Sequence, residues 1–171
     1  GKASKPFFTE KDPAHEKPVR LSPSEWLFQT FDTEAVIVDG SGPVPVVKKR
    51  WSMIDKDVAG WRTGGVQPIA YHARSNRLYT LMHEGGPATR QDPGVEIWVF
   101  DAASGKRLQR IPMDGPATAI AVSEDDKPLL YTAMFTVPKL VVYDAGTGRK
   151  LREIGEMGNA ITVLQPAPAA K

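Results

Sequence analysis

The chain has 171 residues, with 22 basic and 20 acidic side chains, a formal net charge of +2 and no cysteine. One domain is the expectation at this length. The near balance of charge argues against a nucleic-acid partner, the lack of cysteine excludes disulfides within the chain, and with no apolar run of eighteen residues no membrane insertion by a helix is expected.

Residues 1–18, GKASKPFFTEKDPAHEKP, show no hydrophobic period and carry several Pro and Lys. They read as an extended, surface-lying arm. From residue 19 onward, short runs of β-branched and aromatic residues alternate with Gly, Pro, Asp and Ser, the pattern of strands and turns in an all-β fold. A first, weaker unit spans about 19–50 and contains VIVDGSG at 36–42. A second spans about 66–111 and a third about 117–154. The second ends in EIWVFDAASGKRLQRI (96–111), which aligns without a gap on KLVVYDAGTGRKLREI (139–154) of the third. Asp101 then falls on Asp144, Gly105 on Gly148, Leu108 on Leu151 and Ile111 on Ile154. Upstream, Leu78-Tyr79-Thr80 falls on Leu130-Tyr131-Thr132. Each unit reads strand, polar turn, strand, connection, strand, Asp-Gly turn, strand, the four-stranded antiparallel sheet of one propeller blade. A closing strand is expected at 160–164 and a loose tail at 165–171. The fold expected is therefore about three blades of a β-propeller, completed by another chain or a second copy, because an open stack leaves sheet faces and edges uncovered.

The Asp-Gly turns carry a physical expectation. Asp bonds backbone N–H groups just downstream of itself, and Gly accepts positive φ, so both pairs should be structural.

Catalytic signatures are sparse. No Gly-rich phosphate loop, H-E-x-x-H or G-x-S-x-G run is present. His15, His72 and His83 are scattered, and lone histidines beside strands more often satisfy a backbone partner than bind metal. The acidic run SEDD (123–126) is the polar turn of a hairpin, and no base is indicated beside Ser123. No catalytic, cofactor-binding or metal residue is assigned. The basic runs KKR (48–50) and GRKLR (148–152) read as solvated strand faces. Trp26, Trp51, Trp61 and Trp98 are either packing residues or interface anchors.

Two stretches exceed what a blade needs. WRTGG (61–65) breaks the chain before a strand, and EGGPATRQDPG (84–94) is an insertion that the third unit lacks. Both read as loops. Loops beyond the connecting minimum are where such folds place binding surfaces. Trp61, Arg62, Gly64, Gly65, His83, Glu84 and Arg90 are the candidate partner interface. The alternative is a tight turn between blades with Trp61 tucked into its own chain.

GWRTGGVQPIAYH, NRLYTLMHEGGPATRQDPGVEIWVFDAASGKRLQRI, AIAVSEDDKPLLY and VVYDAGTGRKLREIGEMG together resemble the heavy subunit of the tryptophylquinone amine dehydrogenases. That family includes methylamine and aromatic amine dehydrogenase, and LMHEGGP with its following DPG looks closer to the aromatic-amine type. The likeness is continuous from about residue 60 to 158, looser toward the start, and covers only the C-terminal part of such a subunit. It implies a longer, seven-bladed propeller that carries no redox cofactor itself. Tryptophan tryptophylquinone is made in a separate, disulfide-rich light subunit, where primary amines become aldehyde and ammonia. Electrons then pass to a periplasmic cupredoxin, amicyanin- or azurin-like. The resemblance implies a periplasmic location; no signal peptide is visible, and a mature secreted chain would have lost one. The ring would be completed by an N-terminal piece of the heavy subunit or by a second copy. Two other readings stand beside this one. One is a family-derived scaffolding subunit of a different complex, and the other is a lactonase-like propeller hydrolase.

Overall fold

The computed structural model describes residues 7–8, 13–14, 17–134 and 137–156. Most of the expected arm, the closing strand at 160–164, the tail at 165–171 and His15 lie outside the described residues. The described residues form twelve strands and two short 3-10 turns, at Lys56–Val58 and Pro87–Thr89, with no α-helix among them.

Blade 1 is a four-stranded antiparallel sheet in the order β1 (Val19–Arg20), β2 (Glu25–Gln29), β3 (Glu34–Asp39) and β4 (Val46–Ser52). The remaining strands are β5 (Trp61–Thr63), β6 (Ile69–His72), β7 (Arg77–Glu84), β8 (Gly94–Asp101), β9 (Arg107–Val122), β10 (Leu129–Met134), β11 (Leu140–Asp144) and β12 (Lys150–Ile154). They form one continuous eight-stranded sheet, where two separate sheets were expected. The reason is β9. Its first part pairs with β8 and its last part with β10, so one extended strand is the outer strand of blade 2 and then the inner strand of blade 3. Pro112 and Pro116 lie where the chain crosses over, and proline's fixed φ suits extended backbone there. Among the described residues the sheets do not close into a ring.

All three blades carry the same β-bulge after the third strand. The extra residue is Lys48 in blade 1, Leu108 in blade 2 and Leu151 in blade 3. Each such residue is exposed.

Period-2 alternation buries both faces of blade 2. Leu78, Met82, Trp98 and Phe100 face blade 1, where they meet Leu27, Ala35, Ile37, Met53 and Val58. Tyr79, Leu81, Ile97, Val99 and Ile111 face blade 3, where they meet Ile120, Val122, Leu130, Val141 and Tyr143. A strand buried on both faces reads as a continuous apolar run, which is why IWVF lacks polar spacing.

The Asp-Gly turns form as expected. The Asp101 carboxylate accepts from the Ser104 N–H at 2.6 Å and its hydroxyl at 2.7 Å. The Asp144 carboxylate accepts from the Thr147 N–H at 2.8 Å, its hydroxyl at 2.9 Å and the Gly146 N–H at 3.0 Å. Gly105 and Gly148 have φ of +79° and +74°. These bonds hold both carboxyls below the ordinary aspartate value of 3.8, chiefly through the Ser104 hydroxyl for Asp101 and the Thr147 N–H for Asp144. A depressed folded-state pKa adds stability that is present above the unfolded value and lost as pH falls through the folded value. Asp144→Ala is therefore expected to lower the urea midpoint at pH 7 and to narrow its gap from the parent chain below about pH 4. A gap that stays constant down to pH 2 would show the carboxylate has no such role.

Candidate functional site

The pairing of β5 with the far end of β7 assembles most of the candidate residues. Trp61 lies opposite Glu84, and Arg62 opposite His83. Trp61–Thr63 is a strand, which corrects the expectation of a loop; the three residues find a partner because β7 runs four residues beyond the β6 pairing, from Leu81 to Glu84. The loop proper is 64–68. It bulges opposite Leu81, whose carbonyl accepts from the Gly64 N–H at 3.2 Å and whose N–H donates to the Pro68 carbonyl at 2.8 Å.

Both glycines of this loop are forced by close approach. A Cβ at Gly64 would collide with the Asp92 carbonyl oxygen and the His83 ring. Gly65 has φ +93°, and a Cβ there would fall 2.7 Å from the Thr118 carbonyl oxygen. The same carbonyl accepts the Val66 and Gln67 N–H groups at 2.8 and 2.9 Å, so the loop ties the inner strand of blade 2 to that of blade 3. The His83 side chain is 4% exposed. Its Nδ1 donates to the Glu84 carbonyl at 3.0 Å, and its Nε2 has no hydrogen-bond partner among the described residues. Arg62 Nε donates to the Gly85 carbonyl at 2.9 Å, pinning the start of the 85–93 loop. Arg90 reaches over that loop to the Phe31 ring of blade 1, 4.7 Å from its centroid.

Trp61 belongs to a larger cluster that sequence reading missed. Its half-buried ring stands 5.3 Å from that of Trp98. The Arg110 guanidinium lies over both, 4.6 and 5.0 Å from the centroids, and Arg107 lies 4.7 Å over Trp98. Arg110 makes a two-pronged pair with Glu96 at 2.7 and 2.9 Å, and the Trp98 indole N–H donates to the same carboxylate at 2.7 Å. Burial works against the charge on Glu96, but the bonds from Arg110 and Trp98 outweigh it and hold the carboxyl below its ordinary value; the same pairing raises Arg110. Arg107 bridges to Asp55 at 3.2 Å and Asp57 at 3.4 Å, fastening the 53–60 linker over the cluster. Trp61 thus has a packing role within its own chain. The signal for Glu96 was present in the alternation of EIWVF, which places it on the face of Trp98; nothing in KRLQR separates stacked arginines from solvated ones.

His72 and Ser123 are bonded within the chain. His72 Nδ1 meets the Ser75 hydroxyl at 2.7 Å and its Nε2 the Asp125 carbonyl at 3.1 Å, tying blade 2 to the SEDD turn of blade 3. The Ser123 hydroxyl oxygen accepts the Leu129 N–H at 2.9 Å. Among the described residues no three His, Asp or Glu side chains converge as metal ligands, and no helix is long and apolar enough to cross a membrane.

The family model described as methylamine dehydrogenase heavy chain matches residues 44–167. The methylamine dehydrogenase heavy chain of Methylophilus methylotrophus is 41% identical over 111 residues, which cover 64% of this chain and 27% of that protein. That of Methylobacillus flagellatus is 33% identical over 105 residues, 61% of this chain and 26% of that protein. The chain thus spans about a quarter of the length of these relatives. Among solved structures, Kuenenia stuttgartiensis hydrazine synthase superposes with a TM-score of 0.56 at 17% identity, over 82% of this chain and 35% of that one, a likeness of fold alone.

Proposed function

This chain belongs to the methylamine dehydrogenase heavy chain family, and on that footing we propose that it is a propeller segment of the non-catalytic heavy subunit of a quinone-dependent amine dehydrogenase. The observation that carries the reading is the family match, which runs from the outer strand of blade 1 through blades 2 and 3. In this reading a disulfide-rich light subunit supplies tryptophan tryptophylquinone and oxidises a primary amine to aldehyde and ammonia. A cupredoxin of the amicyanin or azurin kind accepts the electrons, in the periplasm. The heavy subunit holds and orients the light subunit.

The geometry supports a holding role. The charged groups around Trp61 are engaged with each other, and both His72 nitrogens are bonded within the chain. Trp98 is fully buried with its N–H given to Glu96, the arrangement of a packing residue and not of half a modified pair. The direct test is to purify the native complex and look for a small cysteine-rich chain with quinone absorbance. The isolated chain, given a primary amine and an artificial electron acceptor, is expected to show no turnover; robust activity without another polypeptide would refute the reading.

The partner surface proposed is the one formed by β5, the end of β7 and the 85–93 loop. Deleting 86–92 is expected to weaken assembly with the light subunit about tenfold or more, with little change in the unfolding midpoint. Normal assembly by a variant that unfolds earlier would make the loop a structural cover instead.

A further inference from the structure

The outer strands of the three blades differ in chemistry from the rest of the chain. They are β4, the first part of β9 and β12. Residues 46–51, 106–111 and 149–154 read VVKKRW, KRLQRI and RKLREI, which together hold nine Lys and Arg side chains and one Glu. The whole chain carries 22 basic against 20 acidic side chains, so the remainder is net acidic and the positive charge is gathered on these strands. The exposed apolar side chains gather there too. Val46, Val47, Leu108, Leu151 and Ile154 lie on them, and Val44 stands two residues before β4; among the described residues the other large apolar side chains of comparable exposure are Val66, Val95 and Val137.

The repeated bulge sets the leucines apart. Alternation assigns each side chain of a regular strand to one face of its sheet or the other. The bulge leaves one extra residue outside the ladder, and in blades 2 and 3 that residue is Leu108 and Leu151, which are 48 and 39% exposed. Packing does not require leucine at this position, because blade 1 carries Lys48 there. Cations flank both leucines: Lys106, Arg107 and Arg110 around the first, and Arg149, Lys150 and Arg152 around the second. Internal ion pairs leave much of this charge outermost. Lys48 is 59% exposed and its partner Glu25 21%, while Arg110 is 35% exposed and Glu96 18%. Arg50 meets Glu34, Arg107 lies under Asp55 and Asp57, and Lys150 is held between Asp114 and Glu153. Lys106, Arg149 and Arg152 are exposed.

Single aliphatic side chains set among Lys and Arg make a poor protein interface, which needs a contiguous packed core and is depleted in Lys. They suit a fluid interface, where aliphatic groups enter between headgroups while Lys and Arg stems lie along apolar surface with their charged ends at the phosphates. We propose that the outer strands of blades 2 and 3 form a peripheral contact for the surface of an anionic lipid bilayer. Leu108 and Leu151 enter among the headgroups, and Lys106, Arg149 and Arg152 face the lipid phosphates. Two inserted leucines give a reversible contact that depends on the attraction between unlike charges. The contact does not depend on the amine dehydrogenase reading, and it shares no residue with the partner surface formed by β5, the end of β7 and the 85–93 loop.

The test is co-sedimentation of the full chain, purified with any polypeptides that accompany it, with lipid vesicles. At low salt it is expected to bind vesicles of equal parts phosphatidylglycerol and phosphatidylcholine about tenfold more than vesicles of phosphatidylcholine alone. Most of it should be released at about 0.5 M salt, where surface charges are screened. Leu108→Asp with Leu151→Asp is expected to lower the bound fraction about tenfold, and so is Arg149→Glu with Arg152→Glu. All four positions are exposed, so the urea midpoint should not move and the loss reads as loss of contact. If a pair does shift the midpoint, Leu108→Ser with Leu151→Ser or Arg149→Gln with Arg152→Gln takes its place. Val137→Asp, at an exposed apolar position between β10 and β11, is expected to leave binding unchanged. Because the chain has no cysteine, Leu151→Cys accepts an environment-sensitive dye, whose emission should move to the blue on the anionic vesicles. No co-sedimentation with anionic vesicles at low salt overturns the proposal. So does equal binding to both kinds of vesicle, or an equal loss from Val137→Asp. Loss of an accompanying polypeptide from the leucine pair, with no vesicle binding by the parent chain, would make these strands a protein contact and overturn it as well.

Discussion

Trp98→Ala is expected to cost about 3–5 kcal/mol of unfolding free energy, the range for emptying a fully buried aromatic site. The side chain has no exposure and stands at the centre of the seam between blades 1 and 2. Its ring touches those of Trp61 and Phe100, at 5.3 and 6.4 Å between centroids, and supports the guanidinium groups of Arg107 and Arg110. Truncation removes the platform on which Trp61 and both arginines stack. It also takes one donor from Glu96, although Arg110 still pairs with that carboxylate. Trp98→Phe separates the contributions. It keeps much of the volume and loses the N–H, so its cost is expected at about 1–2 kcal/mol. Urea unfolding followed by tryptophan fluorescence and by circular dichroism measures both. Coincident transitions are required for the comparison to hold. A loss below about 1 kcal/mol for Trp98→Ala would show that this seam does not take part in cooperative unfolding.

The Trp98 environment also shows what the sequence made legible and what it did not. The blade count, the hairpins and the turns were readable because each rests on local chemistry: β-branched runs, an Asp that bonds the backbone ahead of it, a Gly that takes positive φ. The repeat of Asp101 with Gly105 at Asp144 with Gly148 located two outer hairpins without any long-range information. Three features were not readable, and each depends on a partner distant in the chain. β9 runs through Pro112, Gly115 and Pro116, which as isolated signals mark breaks; pairing with β8 on one side and β10 on the other carries the strand across them. β5 is three residues ending at two glycines, and it becomes a strand only because β7 extends to Glu84. Arg107 and Arg110 look like solvated charges in an alternating strand, yet both lie over aromatic rings. The candidate surface was legible as a departure from the blade pattern, since the 84–94 insertion has no counterpart in the third unit. That Trp61 is shared between that surface and the packed seam follows only from where Trp98 and Arg110 are placed.

Gly148→Val is expected to lose about 3 kcal/mol, from two sources that a second variant can separate. The first is backbone strain. At φ +74° a β-branched residue is held in the left-handed region, at a cost of about 1–2 kcal/mol. The second is collision across the seam between blades 2 and 3. A Cβ here would lie 2.6 Å from Gln109 Nε2 and 2.7 and 2.9 Å from the Ile111 Cγ1 and Cδ1 atoms. Ile111 is buried between blades 2 and 3 and cannot swing into solvent, so the overpacking adds about 1–3 kcal/mol. Gly60 has φ +90° but nothing within 4 Å of its would-be Cβ. Gly60→Val therefore meets the strain without the collision, and its expected cost is about 1–2 kcal/mol. The difference between the two variants measures how tightly the Asp-Gly turn of blade 3 grips the outer strand of blade 2. Gly148→Ala, with a single methyl, should fall between them, because the Cβ alone already makes the close contacts with Gln109 and Ile111. Equal losses for Gly60→Val and Gly148→Val would mean that Ile111 yields freely, and the turn would then be a local cap and not part of a joint between blades.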